Sequence, residues 1–260
     1  MKEDYMVDSK KFHQTLENIR KDKPLIHHIT NYVVANITAN FTLAIGASPI
    51  MAASKDEVAE IASFADVLVL NIGTITTEQF KAMKIAAKAM KNRNKKIVLD
   101  PVGVALSKLR YNVVEYFIKE QLVDIVKGNY SEIMTLAGSK AKAKGVDSLE
   151  DDISLIDDNI AQLSRKHKCI FAATGEVDII SNGLKNIHLE GGNRIMKYIT
   201  GTGCLATSAV GVFLSVAEAF NAAIYGLFLL KDATRNIEAN GPAEFFNKFI
   251  DKIYNIYKLS

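Results

Sequence analysis

The densest chemistry in the chain lies in five consecutive residues, Thr200-Gly201-Thr202-Gly203-Cys204, which run straight into Leu205-Ala206-Thr207-Ser208-Ala209. Two glycines permit a tight turn and a close backbone approach to a ligand. A helix beginning here offers unpaired N–H groups and the positive end of its dipole, a combination that holds anions. Donors fixed at such a point would stabilise the charge that builds on a phosphoryl group in transfer. Cys204 then sits in the first helical turn, where a thiol pKa is lowered. The plainer reading is a glycine turn ahead of a core helix that buries a cysteine. The spacing is that of neither a Walker A loop nor a dinucleotide fingerprint.

Four further constellations carry candidate groups. Lys127-Gly128-Asn129-Tyr130-Ser131-Glu132 follows an apolar run. Asn129 and Glu132 are spaced as a capping box, and Glu132 is equally a candidate to hold Mg²⁺, directly or through water. Asp100-Pro101-Val102-Gly103 ends another apolar run. Its carboxylate suits a metal or a phosphate-bound cation, or it caps the next turn. Ala173-Thr174-Gly175-Glu176-Val177-Asp178 reads as a hairpin turn with Gly175 at a special backbone angle, or as a segment along a nucleotide with the Thr174 hydroxyl on a phosphate. Near the N-terminus stand His27-His28-Ile29-Thr30-Asn31 and then Gly46-Ala47-Ser48-Pro49-Ile50-Met51. Adjacent histidines point opposite ways on a strand, which argues against a two-His metal site. Thr30 or Asn31 can cap the following helix. Asn31 and Met51 can instead line a pocket, with Met51 as a polarizable apolar wall.

These groups need elements to place them. Residues 24–29, 66–72, 96–100, 123–126, 169–173 and 178–181 read as strands, several of them unbroken apolar runs suited to burial on both faces. Residues 33–45, 76–94, 111–121, 131–137 and 148–166 carry helical spacing. Two helices are expected between 204 and 239, and a last one over 242–257. Residues 138–147 read as an exposed loop. Alternating strands and helices predict an α/β fold, one mostly parallel sheet with helices on both faces, in a single domain over 1–260. Ligands of such sheets bind beyond the carboxyl ends of the strands, where the candidate residues fall.

Composition narrows the function classes. The chain has 260 residues, 48% hydrophobic and 23% charged, enough for one large core and too apolar for disorder. The net charge of +3 comes from scattered basic residues, so no nucleic-acid partner is expected. The cluster Lys91-Asn92-Arg93-Asn94-Lys95-Lys96 reads as the solvated end of a helix. Two cysteines make no disulfide framework and suit a reducing cytoplasm. Residues 1–23 are mostly polar and lack the apolar core of a signal segment. Residues 205–230 are apolar and about long enough to span a bilayer, but Glu218 and Asn221 interrupt them, so two buried helices and no membrane span are expected.

Together, and in this order, the motifs resemble those of hydroxyethylthiazole kinases, thiamin-salvage enzymes of the ribokinase-like superfamily. The resemblance runs from Pro24 to about Asn240. Its most specific parts are Ile29-Thr30-Asn31-Tyr32-Val33, Gly46 to Ala52, Leu99 to Gly103, Gly128 to Glu132 and Thr200 to Cys204. It implies transfer of the ATP γ-phosphate, with Mg²⁺, to the primary hydroxyl of 4-methyl-5-(2-hydroxyethyl)thiazole. It implies substrate contacts at Met51 and Gly201, with Asn31 beside them, and ATP contacts at Lys127 and Thr174, with Asn129 adjacent. Asp100 and Glu132 fall in the Mg²⁺–phosphate region, residues 201–204 form the anion hole, and Cys204 matches the catalytic position. A homotrimer with active sites between subunits is implied too, which puts Met51 at an interface. Three positions depart from the family pattern. His28 stands where Asn is usual, Val104-Ala105-Leu106 replaces small, glycine-rich residues, and Lys127 replaces an arginine, losing its planar fork. The neighbouring readings are a pyrimidine or pyridoxal kinase, or an ATP-dependent dehydratase of hydrated nicotinamide nucleotides. Cys204 and Ser48-Pro49-Ile50-Met51 argue against the other vitamin kinases, many of which carry Asp at the Cys204 position.

Overall fold

A computed structural model describes residues 7–138 and 153–256. Eight strands form one sheet in the order β2-β1-β3-β4-β5-β6-β7-β8. They are β1 (Leu25–Ile29), β2 (Ser48–Ile50), β3 (Val67–Asn71), β4 (Lys96–Asp100), β5 (Ile125–Asn129), β6 (Ile170–Thr174), β7 (Asp178–Ser181) and β8 (Asn186–Leu189). The first six are parallel, while β7 and β8 run antiparallel at one edge. The central strands are buried on both faces, as their unbroken apolar runs require.

Helices cover both faces. They are α1 (Ser9–Asp22), α2 (Ala35–Ile45), α3 (Val58–Phe64), α4 (Thr77–Asn92), α5 (Lys108–Lys119), α6 (Tyr130–Leu136), α7 (Ile153–His167), α8 (Thr202–Leu214), α9 (Ala219–Thr234) and α10 (Pro242–Asn255). One core joins α1, α2, α8, α9 and α10 to the sheet, and a second joins α3 to α7 to its other face. Helix α8 lies close on the sheet because Gly211 removes the side chain at the contact, where a Cβ would stand 2.4 Å from Val69 Cγ2.

The α/β reading holds, with three corrections. Residues 9–22 form a helix, which Phe12, Leu16 and Ile19 anchor in the core despite a polar average. Strands β2 and β8 and helix α3 were missed, all of them short. Strand β5 extends to Asn129, so Lys127 lies within it rather than after it. As expected, the apolar stretch 205–230 splits into α8 and α9, with Glu218 the N-cap of α9. Among the described residues no helix is long and apolar enough to cross a membrane. Beyond Gly138 the expected loop, the start of the helix expected from 148, and Tyr257 all lie outside the described residues.

Candidate active site

Strands β1, β3, β4 and β5 and the start of α8 bring their polar residues to one place. Gly201 caps α8 with φ +88°, a left-handed conformation, and no side chain caps the first turn. A Cβ on Gly201 would stand 2.6 Å from Val34 Cγ1, so both backbone angle and space demand glycine. The uncapped first turn of α8 presents its N–H groups at the carboxyl end of the sheet.

Beneath that turn lies a buried polar network. Asp100, at the end of β4, is 2% exposed. Its Oδ2 accepts from Thr207 Oγ1 at 2.6 Å and from Asn71 Nδ2 at 3.2 Å. Asn71, at the end of β3, accepts at Oδ1 from Asn31 Nδ2 at 2.8 Å and from the Gly73 N–H at 2.9 Å. Asn71 Nδ2 also donates to Cys204 Sγ at 3.2 Å, and Asn31 Nδ2 reaches the same sulfur at 3.7 Å. Lys127 Nζ donates to the Gly203 carbonyl at 2.9 Å, tying β5 to the first turn of α8.

Burial sets the protonation of this cluster. Asp100 is raised to about 7, chiefly by desolvation and further by the Glu132 charge, against the pull of Lys127. Cys204 is raised to about 11, again by burial first and then by the Asp100 charge. This overturns the expected lowering of the thiol pKa: desolvation beside a carboxylate outweighs the helix end.

Asn129 and Glu132 form a complete capping box at the start of α6. Glu132 Oε2 accepts from the Asn129 N–H and Oε1 from the Gly103 N–H, at 2.8 and 2.9 Å. The carboxylate therefore joins α6 to the turn after β4. Asp100 does not cap that turn. Arg110 on α5 holds the same region by donating to the carbonyls of Ile72, Gly73 and Val102. Asp100 and Glu132, the second close enough to raise the pKa of the first, with Lys127 the cation beside them, form a donor set suited to a hard divalent cation that keeps waters and phosphate oxygens as its other ligands. Among the described residues no three His, Cys, Asp or Glu side chains converge as a protein-only cage.

Thr174, at the end of β6, pairs in register with Asn129, and its hydroxyl donates to the Gly128 carbonyl at 3.2 Å. The β6–β7 segment is a hairpin, as read, but Gly175 is not at a positive φ. It is glycine because a Cβ would stand 2.5 Å from the Tyr130 ring. Asn31 caps the turn ahead of α2 rather than the helix itself: its Oδ1 accepts from the Val34 N–H at 3.2 Å, while the N-cap of α2 is Val34, with no side-chain cap. Met51 stands apart, beyond the edge strand β2 and 38% exposed. His27 and His28 bond in different directions, His27 to the Ala52 carbonyl and His28 to the Thr42 hydroxyl.

Sequence reasoning missed Asn71, Thr207 and Arg110. Asn71 carried a signal, since it is a polar residue ending an apolar strand, as Asp100 is. Thr207 and Arg110 carried none, being ordinary helix residues until the fold placed them.

A glycine-started, uncapped helix set over a buried carboxylate and lysine, at the carboxyl ends of a parallel sheet, suits a small-molecule kinase of the ribokinase-like fold. A ribokinase-like superfamily protein from Enterococcus faecalis shares that fold, with TM-score 0.64 at 11% identity over 98% of this chain and 91% of that one. The sequence model of the hydroxyethylthiazole kinase family matches residues 16–258, and the chain belongs to that family. A hydroxyethylthiazole kinase from Thermoanaerobacter pseudethanolicus is 40% identical over 250 residues, 94% of each chain. The structure of a hydroxyethylthiazole kinase from Pyrococcus horikoshii superposes with TM-score 0.85 at 33% identity, covering 95% of this chain and 93% of that one.

Proposed function

We propose that this chain transfers the γ-phosphoryl group of ATP to the primary hydroxyl of 4-methyl-5-(2-hydroxyethyl)thiazole. The observation that carries the reading is the glycine-started, uncapped first turn of α8, which holds Cys204 and is seated over Asp100 and Lys127. The N–H groups of residues 202–204, with the Gly201 turn, form the anion hole for the moving phosphoryl group. Lys127, Asn129 and Thr174 face ATP, and Lys127 supplies positive charge without the fork of an arginine. Asp100 and Glu132 would hold Mg²⁺, which would neutralise phosphate charge.

Gly201, Asn31 and Met51 line the thiazole side. Cys204 lies near the acceptor hydroxyl and carries its proton at neutral pH, so it orients that hydroxyl rather than deprotonating it. Phosphoryl transfer gains most from positioning and charge stabilisation, so a weak base costs little. The active form is a homotrimer with sites between subunits. The exposure of Tyr32 at 82% and Val33 at 55%, just after β1, and of Met51, just after the neighbouring edge strand β2, supports a subunit interface there. Two free thiols suit the cytoplasm, and the matched span supports one kinase domain.

The deciding experiment is a coupled ADP-release assay with the thiazole alcohol, ATP and Mg²⁺, run beside hydroxymethylpyrimidine, pyridoxal and hydrated nicotinamide nucleotides. Turnover of the thiazole alone is expected. Strong turnover of another acceptor without the thiazole would overturn the proposal.

A further inference from the structure

Helix α9 is apolar along most of its length, yet it carries Lys231 only 8% exposed. The ammonium makes three contacts, all on the β6–β7 turn. It donates to the Gly175 carbonyl at 3.0 Å and the Glu176 carbonyl at 2.7 Å, and it stands 3.4 Å from Asp178 Oδ1. Asp178, 5% exposed, accepts in turn from the Gly175 N–H at 3.0 Å. From the other side the Tyr130 hydroxyl donates to the Val177 carbonyl.

A hairpin turn does not need this. Glycine and asparagine close hairpins by backbone geometry alone. A buried ion pair adds little stability over a packed apolar pair of the same volume, so stability does not account for it. The clamp does constrain the position of the turn. Thr174 sits directly before Gly175 and beside Asn129, at the strand ends where the phosphates of ATP are placed above.

We propose that Lys231 is a positioning residue for the nucleotide: with Asp178 it fixes the Thr174–Val177 turn in the conformation that receives ATP. The inference rests on the kinase reading of the site. It assigns Lys231 no contact with ATP and no part in binding the thiazole.

The test compares Lys231→Met, Lys231→Arg and the double variant Asp178→Asn/Lys231→Met with the wild type. The readouts are KM for ATP–Mg²⁺, KM for the thiazole alcohol, kcat, and direct binding of a fluorescent ATP analogue. Lys231→Met is expected to raise the ATP KM and the analogue Kd by about tenfold, as for a turn that keeps its ATP-receiving conformation only about a tenth of the time. The thiazole KM should stay within about twofold, a shift smaller than the loss of one ordinary hydrogen bond. Lys231→Arg should recover part of the ATP affinity. Lys231→Met leaves Asp178 buried and uncompensated and can fail to fold. The double variant removes both charges, is expected to fold, and should keep the nucleotide defect. Wild-type ATP affinity in the folded double variant overturns the proposal, and so does an equal rise in both KM values. The binding arm separates this from the substrate assignment. Wild-type protein that binds the analogue but releases no ADP with the thiazole refutes the acceptor, while the variants still decide the clamp.

Discussion

Asn71 Nδ2 donates both to Asp100 Oδ2 and to Cys204 Sγ, so one amide links the carboxylate and the thiol of the site. The amide cannot turn over, because its Oδ1 is held by Asn31 Nδ2 and the Gly73 N–H. The sulfur therefore accepts from Asn71, and the neighbouring Asp100 charge, with burial, holds the thiol up at about 11.

Cys204 should accordingly alkylate slowly at neutral pH. A shift from 9.0 to about 11 lowers the thiolate fraction at pH 7 on the order of 100-fold. Iodoacetamide labelling followed by mass spectrometry from pH 6 to 11 should give a rate still rising above pH 9. A plateau below pH 8 would show an activated thiol and contradict the arrangement. Consistent with a protonated thiol, Cys204→Ala should keep kcat within a few-fold of wild type.

Gly201→Val is expected to abolish activity. Its Cβ would meet Val34 Cγ1 at 2.6 Å, and φ +88° is hostile to a β-branched residue. The start of α8 must shift, and a displaced anion hole costs about 100-fold or more in kcat. The strain should also lower stability by roughly 2–4 kcal/mol. Circular dichroism and a melting curve on the purified variant separate the two effects. A folded Gly201→Val enzyme with near wild-type kcat would remove the anion hole from the mechanism.

Where a feature was local in the chain it was legible. The run from Asp66 to Ile72 reads as a buried strand because nothing polar interrupts it until Asn71. Gly201 to Cys204, Asp100 and the Asn129–Glu132 box were found because strand ends and helix starts carry their own residue types. Ser48–Ile50 was not, since three half-buried residues around a proline show no period. Phe12, Leu16 and Ile19 did have helical spacing, hidden by a polar average. Thr207 bonds a residue 107 positions away, a separation that no spacing rule spans. Lys231 could have been flagged, as a charge beside Leu229, Leu230 and Ala233 in an apolar helix. Its partners could not.

Asp100→Asn should stabilise the protein while inactivating it. Burial raises the folded carboxyl from 3.8 to about 7, so its protonated form is the one the fold favours. The associated stability is fully present below pH 3.8 and is lost as pH rises to about 7. At pH 8 the wild type bears the whole cost of the buried charge, and the neutral amide does not. In Mg²⁺-free buffer at pH 8 the variant should melt about 2–6 °C higher. Near pH 4 that advantage should vanish. A variant that melts lower at pH 8 would mean that Lys127 more than compensates the charge.

His28 should impose the opposite pH dependence. It is 1% exposed, its Nε2 lies 3.3 Å from the Thr42 hydroxyl, and its Nδ1 has no hydrogen-bond partner among the described residues. Burial therefore pushes its pKa from 6.5 down to about 3. An unfolded chain takes up a proton at this ring below pH 6.5, and the folded chain does not until about pH 3. The stability tied to His28 is complete above pH 6.5 and falls with pH, by up to about 1.4 kcal/mol per pH unit. Asp100 works against this slope over the same acidic range, and His27, also lowered by burial, works with it. Asp178, also raised by burial, works against it as Asp100 does, so a wild-type curve alone cannot separate these groups. His28→Asn removes one of them, and the fixed cost of burying its amide does not vary with pH. Unfolding free energies from urea titrations at pH 7.5 and pH 5 should therefore differ by about 1–2 kcal/mol more in the wild type than in His28→Asn. Parallel losses in the two proteins would mean that His28 accepts its proton in the folded state, and that its site is wetter than its burial implies.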